Sequence, residues 1–479
     1  MTETNVTFTL GRRPTEGWPI AILFIGDVIV MVAAFLYKDY LRFMLGVLAL
    51  FFVLIAVASK YKIGPFKTLL VDMFSPVYLA MVTFTFYFYI FLSTYSDVDQ
   101  ATIIYVAAST GVALVFFTIL WSAVRPKSKR TAATAIWVVK DGTTIYILSQ
   151  IIGWITFLFI AWLAGFRSIT EIYSKPLVLR IFDTSNGIAY IKLVADFLVF
   201  MPIYAQTIKS VSKGRNTRLL YILILSGIVY ALGSGSRGEL VAIFVDIVII
   251  RHCYGISLKM RTALLLSLFL VPFVAVYGVY RSTQSATGMR IADMIDIANK
   301  LGPQKIINEF FSRFDAPLYF NLLMANRNTI NLRPTYGLSY LEMPLQAIPR
   351  SIWPNKPSLP NAELTSKLVP NAIDVGFDFS IFGETYREFK GAGFLIAGIL
   401  VASLAFVMQL FYMSVVSSHN PQKIILYVLI SLFIVFTIVA GFIPSFITLA
   451  LSLVQYLCAV KLFFTKVNIY VRENGVIRS

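Results

Sequence analysis

Apolar residues along this chain come in blocks of about twenty, parted by short polar breaks. A helix needs roughly 20 residues to cross about 30 Å of hydrocarbon. Twelve blocks meet that length, at about 18–37, 41–58, 74–95, 101–124, 144–164, 188–208, 218–233, 238–256, 262–280, 391–416, 423–441 and 443–464. The seventh and eighth are short and meet at "GSGSRGE", 233–239. The last two are parted by a tight turn that the pattern puts around Pro444. The blocks predict an all-α integral membrane protein in three parts. Spans one to nine occupy 1–280, a large extracytoplasmic loop occupies 281–390, and spans ten to twelve with a tail occupy 391–479. The opening "MTETNVTFTLGRRPTEG" is polar, and the first block is long enough to stay as an anchor rather than be cleaved.

Composition agrees, since 58% of residues are hydrophobic and only 14% charged, against about a quarter charged in a soluble domain. The net charge of +17 would suggest nucleic acid, but its placement argues otherwise. With the N-terminus inside, the basic residues fall in the inner loops: Lys60, Lys62 and Lys67, then Arg125 to Lys140, Lys209 to Arg218, and Arg251 to Arg261. The outer loop "SDVDQ", 96–100, has none. This is the positive-inside pattern, with both termini cytoplasmic and no nucleic-acid partner. Cys253 and Cys458 lie far apart beside apolar runs and suggest neither a disulfide framework nor a zinc site.

The loop 281–390 carries twelve basic and ten acidic residues, and a loop this long in a compact protein is usually functional. It begins with amphipathic helical spacing in "IADMIDIANKL" and "KIINEFFSRFDAP". Prolines at 334, 344, 349, 354, 357, 360 and 370 then exclude a long regular helix and predict a turn-rich strap. Within it, Arg350, Trp353 and Lys356 are spaced by three. They would share one side of a polyproline-like segment and suit a phosphorylated sugar; alternatively, Trp353 anchors the strap at the lipid interface. In "FGETYREFKGAGF", Glu384 and Arg387 stand at i and i+3, where they would share a helix face.

"GSGSRG" contains a literal G-x-G-x-x-G, but no βαβ rhythm surrounds it, which excludes the dinucleotide reading. A glycine turn opening onto a span leaves an anion room to approach the helix N-terminus at Gly238, with Arg237 at its mouth. The cations expected at the outer side are Arg237, Arg281, Arg313, Arg350, Lys356 and Arg387. Basic residues are disfavoured there, so these ask for an anionic partner, and guanidinium matches a pyrophosphate. Acceptor activation asks for a base. His252 and His419 both fall inside, which leaves Asp315, Glu384 and Glu239. Asp97 and Asp99 resemble a metal-binding D-x-D pair, but they precede the fourth span, where acids complement a helix N-terminus. No other ligand cluster supports a metal, and no cofactor is expected. Lys192 and Asp196, at i and i+4, should pair within the sixth span, and Asp27 and Asp246 are the other intramembrane carboxylates.

Two motifs give the chain a resemblance. "GSGSRGELVAIF" is similar to the Gly/Ser-Arg-Gly turn of the O-antigen polymerase (Wzy-type) family. "IPRSIWPNKPS" followed by "FGETYREFKGAGFL" resembles that family's Pro-Arg-x-x-Trp-Pro-x-Lys-Pro strap and its return to the membrane. "SRFDAPLYFNLLM" is similar to a weaker arginine-acid segment. The resemblance covers about the last 250 residues. It implies a multispan fold like that of the GT-C integral-membrane glycosyltransferases. It also implies metal-independent polymerisation of undecaprenyl-pyrophosphate-linked oligosaccharide repeat units at the outer face of the bacterial cytoplasmic membrane, alongside a flippase and a chain-length regulator. Arg237, Arg313, Arg350, Lys356 and Glu384 fall on the matching motif positions. The alternatives are a glycan ligase, which the resemblance says would use an outer histidine, and a flippase or other transporter.

Overall fold

The computed structural model describes residues 18–37, 39–95, 97–124, 135–140, 142–168, 171–172, 188–213, 217–234, 237–256, 261–262, 268, 276, 315–348, 353, 360–368, 379–472 and 475–478. The first helices are α1 (Trp18–Tyr37), α2 (Tyr40–Lys60), α3 (Pro76–Thr94) and α4 (Gln100–Ala123). Strand β1 (Ala135–Val139) precedes α5 (Thr143–Leu163), α6 (Ile188–Lys213), α7 (Thr217–Ser234) and α8 (Arg237–Cys253). The loop region contributes α9 (Asp315–Ala325), α10 (Leu338–Glu342), α11 (Pro360–Leu368) and α12 (Ser380–Phe389). The chain closes with α13 (Gly393–Ser418), α14 (Pro421–Ile430), α15 (Phe433–Ala440), α16 (Phe442–Phe463), β2 (Phe464–Arg472) and β3 (Gly475–Arg478).

Nine helices among the described residues are long and apolar enough to cross a membrane. They match nine of the expected blocks, and the chain is a mostly helical, multi-pass membrane protein. Helices α7 and α8, with 18 and 17 residues, stand at the two short blocks. The block at 262–280 lies almost entirely outside the described residues. Starts are set by local chemistry: the side chains of Asp39, Ser75, Asp99 and Asn420 accept from the first free N–H groups of α2, α3, α4 and α14.

One expectation needs correction. The last turn lies at Gly441, not at Pro444. Gly441 has φ 104° and ψ 166°, a conformation open essentially to glycine, whereas Pro444 sits in the first turn of α16, where a missing N–H is harmless. The helical fold also carries one small three-stranded antiparallel sheet, β1-β2-β3, that the sequence pattern does not announce. Ala135 lies opposite Asn468 and Val139 opposite Phe464, so the segment before α5 is stitched to the segment after α16.

Following the helices from end to end defines two ends of the bundle. At the sheet end, the Tyr412 hydroxyl donates to Asp72 at 2.6 Å and His252 Nε2 lies 3.2 Å from the same carboxylate, joining α13, α8 and the turn before α3. At the other, strap end, Asn321 of α9 accepts from Asp99 N at 2.8 Å and donates to Asp97 O at 3.1 Å.

The apolar interior forms two clusters. One is built on α1–α4, α9, α11 and α12, the other on α5–α8. The C-terminal helices cross between them. Ala397, Val401, Ala402 and Ala405 of α13 belong to the first cluster, while Tyr412 and Val415 belong to the second. Likewise Ile434 and Ile438 of α15 pack with the first and Ile424 and Ile425 of α14 with the second. Small residues let α13 lie close along α4: a Cβ on Gly398 would collide with the Ser109 carbonyl, the type of contact that drives helix association in lipid.

Candidate functional site

At the strap end, α12 is the organising element. It is buried on nearly every side, so its polar residues point into protein. Arg387 Nε and Nη2 donate to Glu363 Oε2 of α11 at 3.0 and 2.5 Å. Its Nη1 donates to Thr335 Oγ1 at 3.0 Å, to Ser339 Oγ at 2.6 Å, and to the neighbouring Glu388. Glu388, fully buried, also accepts from the Thr335 hydroxyl and, at 3.1 Å, from Gly337 N. One guanidinium and one buried carboxylate thus fasten residues 335–339 and α11 onto α12. Burial alone would raise the Glu363 carboxyl; hydrogen bonds from Lys367 and Arg387, with their charges, outweigh it and hold it below the ordinary 4.5.

Glu384, three residues before Arg387, takes another direction. Its Oε2 accepts from Ile443 N at 3.2 Å, at the start of α16, directly beneath Gly441. Its carboxylate is buried beside the Tyr340 hydroxyl. The expected shared face of Glu384 and Arg387 is therefore split. Three residues turn a helix through 300°, leaving about 60° between the side chains, and on a helix enclosed all round that angle separates one neighbour from the next. Glu384 is 0% exposed, so in this arrangement no acceptor hydroxyl reaches it; its visible work is capping α16.

A second polar assembly lies at the N-terminal turn of α8. Lys192 of α6 donates to Asp196 Oδ1 and Oδ2, each at 2.9 Å, and to Glu239 Oε1 of α8 at 2.5 Å. Tyr230 of α7 donates to Asp196 at 2.5 Å, and Ser234, at the end of α7, donates to Glu239 Oε2 at 2.7 Å. The i,i+4 pairing of Lys192 with Asp196 was legible; the bond to Glu239, 47 residues away, was not.

Helix α8 opens at Arg237, with Gly238 as its exposed second residue. The side chains of Arg237 and Asp315 lie outside the described residues, as do Arg281, Arg313, Arg350 and Lys356 altogether. Trp353 is half-buried. Asp315 begins α9, whose Phe320 packs edge-on against Tyr105 of α4 and tilted against Phe382 of α12. Asp99 is fully used as the N-cap of α4, accepting from Ala101 N at 2.7 Å, and as the partner of Arg327 at 2.9 Å. Among the described residues no group of three or more His, Cys, Asp or Glu could hold a metal ion. Asp27 and Asp246 are buried in α1 and α8.

The start of α8 and helix α12 share one end of the bundle. His252 of α8 and Tyr412 of α13 meet at 3.1 Å. Arg237 lies 15 residues, about 22 Å of helix, back from His252, and Gly393 lies 19 residues, about 28 Å, back from Tyr412. No family model, curated protein or solved structure matches the chain.

Proposed function

We propose that the chain is a polysaccharide polymerase of the bacterial cytoplasmic membrane. It joins undecaprenyl-pyrophosphate-linked oligosaccharide repeat units at the outer face, for O-antigen, capsule, common-antigen or exopolysaccharide synthesis. In this reading the strap end faces outward, in keeping with the basic residues near the sheet end. The growing chain leaves its carrier diphosphate for a hydroxyl of the incoming unit, and the diphosphate departs as its anion. Arg237, Arg313, Arg350 and Lys356 hold and neutralise that anion through charge-assisted hydrogen bonds, each contributing about 1.5–3 kcal/mol. The α8 N-terminus adds backbone donors. Arg387 and Glu384 hold the strap and the α16 turn in place, and Trp353 and Arg281 complete the surface offered to the substrate. With Glu384 enclosed and both Glu239 oxygens engaged by Lys192 and Ser234, Asp315 remains as the candidate base.

One observation carries this reading. The helices bearing the three motif segments, α8, α9 and α12, all present those segments at one end, and residues 335–339 and α11 are fastened there by Arg387 and Glu388. Reconstitution in proteoliposomes with a lipid-linked repeat unit tests it. Polymer supports the reading. Glycan on a different acceptor marks a ligase, and movement of the lipid without chemistry marks a transporter; either outcome displaces it.

A further inference from the structure

A cleft of about 440 Å³ opens at the strap end, between the turn that follows α9 and helix α11. It is lined by Asn326, Thr329, Ile330, Asn331, Lys367 and Leu368, and small-molecule clefts commonly measure about 300–1,000 Å³. Both walls are held in place. The turn closes on one carbonyl: Asn326 O accepts from Thr329 N and Ile330 N, each at 3.0 Å, and from Thr329 Oγ1 at 2.9 Å. Arg327 fastens that turn to the N-cap of α4 through Asp99 at 2.9 Å. Lys367 spans the two walls, donating to Asn331 O at 3.2 Å and to Glu363 Oε1 at 2.7 Å, and Glu363 is the residue that Arg387 holds from α12. Ile330 and Leu368 pack against the first apolar cluster.

The lining suits a hydroxyl-rich ligand. Each carboxamide of Asn326 and Asn331 both donates and accepts, as does the Thr329 hydroxyl, and Ile330 and Leu368 offer aliphatic surface to the C–H face of a sugar ring. The one lining charge, Lys367, is already answered by Glu363, so a diphosphate finds no cluster of cations here. Helix α9 sets the depth. Its second residue, Ala316, donates its N–H to the Tyr87 hydroxyl at 3.4 Å, and Tyr87 lies seven residues, roughly 10 Å, back from the strap end of α3. Asp315 therefore begins within the bundle, and Asn326 lies 11 residues, about 16 Å, farther along the same helix. A sugar in the cleft is out of reach of the bond being made. The incoming unit is tethered at the membrane by its own diphosphate, whereas the growing chain runs outward into water. We propose that the cleft is a distal saccharide subsite that grips the growing chain several sugars beyond the reacting bond. The idea rests on the polymerase reading. After each joining the chain hangs from a new carrier lipid, which must move into the donor position; a grip farther out keeps the chain from leaving during that exchange and sets how many units are added per encounter.

The test uses the full chain in lipid, with two measurements. One is binding of the repeat-unit glycan, freed from its carrier by mild acid. The other is polymer length at equal consumption of the lipid-linked unit. Thr329→Trp fills the cleft from an exposed position; it should weaken glycan binding about tenfold or more and shorten the polymer. Asn331→Ala, also at an exposed position, should weaken binding about fivefold through lost hydrogen bonds, shorten the polymer, and keep the unfolding temperature of the unchanged protein. It still reports should Thr329→Trp fail to fold. Asn331→Gln should keep most of the binding. Polymer of unchanged length, glycan bound equally well by both variants, or no glycan binding by the unchanged protein would each overturn the proposal while leaving the polymerase reading in place. A higher KM for the lipid-linked unit at unchanged polymer length would hand the cleft to the incoming unit and also overturn it. No polymer from the unchanged protein would instead remove the reading on which the proposal stands.

Discussion

Arg387 reaches from α12 to Glu363 on α11 with two hydrogen bonds to a single carboxylate oxygen, at 3.0 and 2.5 Å. The same guanidinium holds Thr335 and Ser339, so one side chain carries much of the attachment of the strap. Removing one partner of a buried pair typically costs about 3–5 kcal/mol, because the other charge is stranded. Arg387→Ala strands Glu388. Residues 335–339 and α11 should then become protease-sensitive while α13 stays protected, and limited proteolysis with mass mapping reads this. Equal protection would show that the clasp is dispensable.

The same clasp should depend on pH. Glu363 is held below its ordinary 4.5 when folded. A lowered folded value means the stabilisation is complete above the unfolded value and is lost as pH falls through the folded one. Hydrogen exchange at 335–339 should therefore be slow from pH 7 to about 5, after correction for intrinsic rates, and should quicken below the ordinary carboxylate range. Glu363→Gln should flatten that step. A step centred above pH 6 would point to another group.

Gly441 is the position least open to change. It combines φ 104° with a site where a Cβ would strike the Glu384 carboxylate. Gly441→Ala should cost about 1–3 kcal/mol from backbone strain alone, seen as a lower unfolding temperature in detergent. Adding Glu384→Ala should relieve the collision and not the strain, so recovery should be partial. Full recovery would mean that the backbone there bends freely.

Arg237→Ala should abolish polymer formation while the protein still reaches the membrane. Full polymer yield from that variant takes Arg237 out of the site.

Chelation should leave the polymerisation rate unchanged, because Asp99 is committed to Ala101 N and Arg327. Asp99→Ala should instead cost about 0.5–2 kcal/mol through the lost cap. A chelator-induced loss restored by a divalent cation would return Asp97 and Asp99 to the chemistry.

The spans were legible because lipid demands long apolar helices and little else competes with that signal. The sheet was missed although "VNIYV", 467–471, alternates apolar and polar residues; its partner "AIWVV", 135–139, is 325 residues away at the Val139–Phe464 pair and short enough to pass as loop. The turn at Gly441 was misplaced because proline is the louder breaker, yet within the first turn of a helix it breaks nothing. In the candidate site, Glu384 and Arg387 were visible as charges at the edge of lipid. Their separation, and the pairing of Lys192 with Glu239, depend on which helices sit beside them, and local spacing carries no record of that.

The crossing of α13 and the α14–α15 pair from one apolar cluster to the other bears on how a long lipid could enter. Both have their strap-end halves in the first cluster and their sheet-end halves in the second, so the fold is built like a pair of shears riveted near the sheet end. In the proposed polymerase, blades joined that way would part at the tips, between α6 and α13, to give a prenyl tail a sideways route while its head stays in water. Spin labels at Ile191 and Leu395 should report a broad spread of separations that narrows when a prenyl diphosphate is added; a single sharp separation in both states would mean that the rivet holds along the whole length.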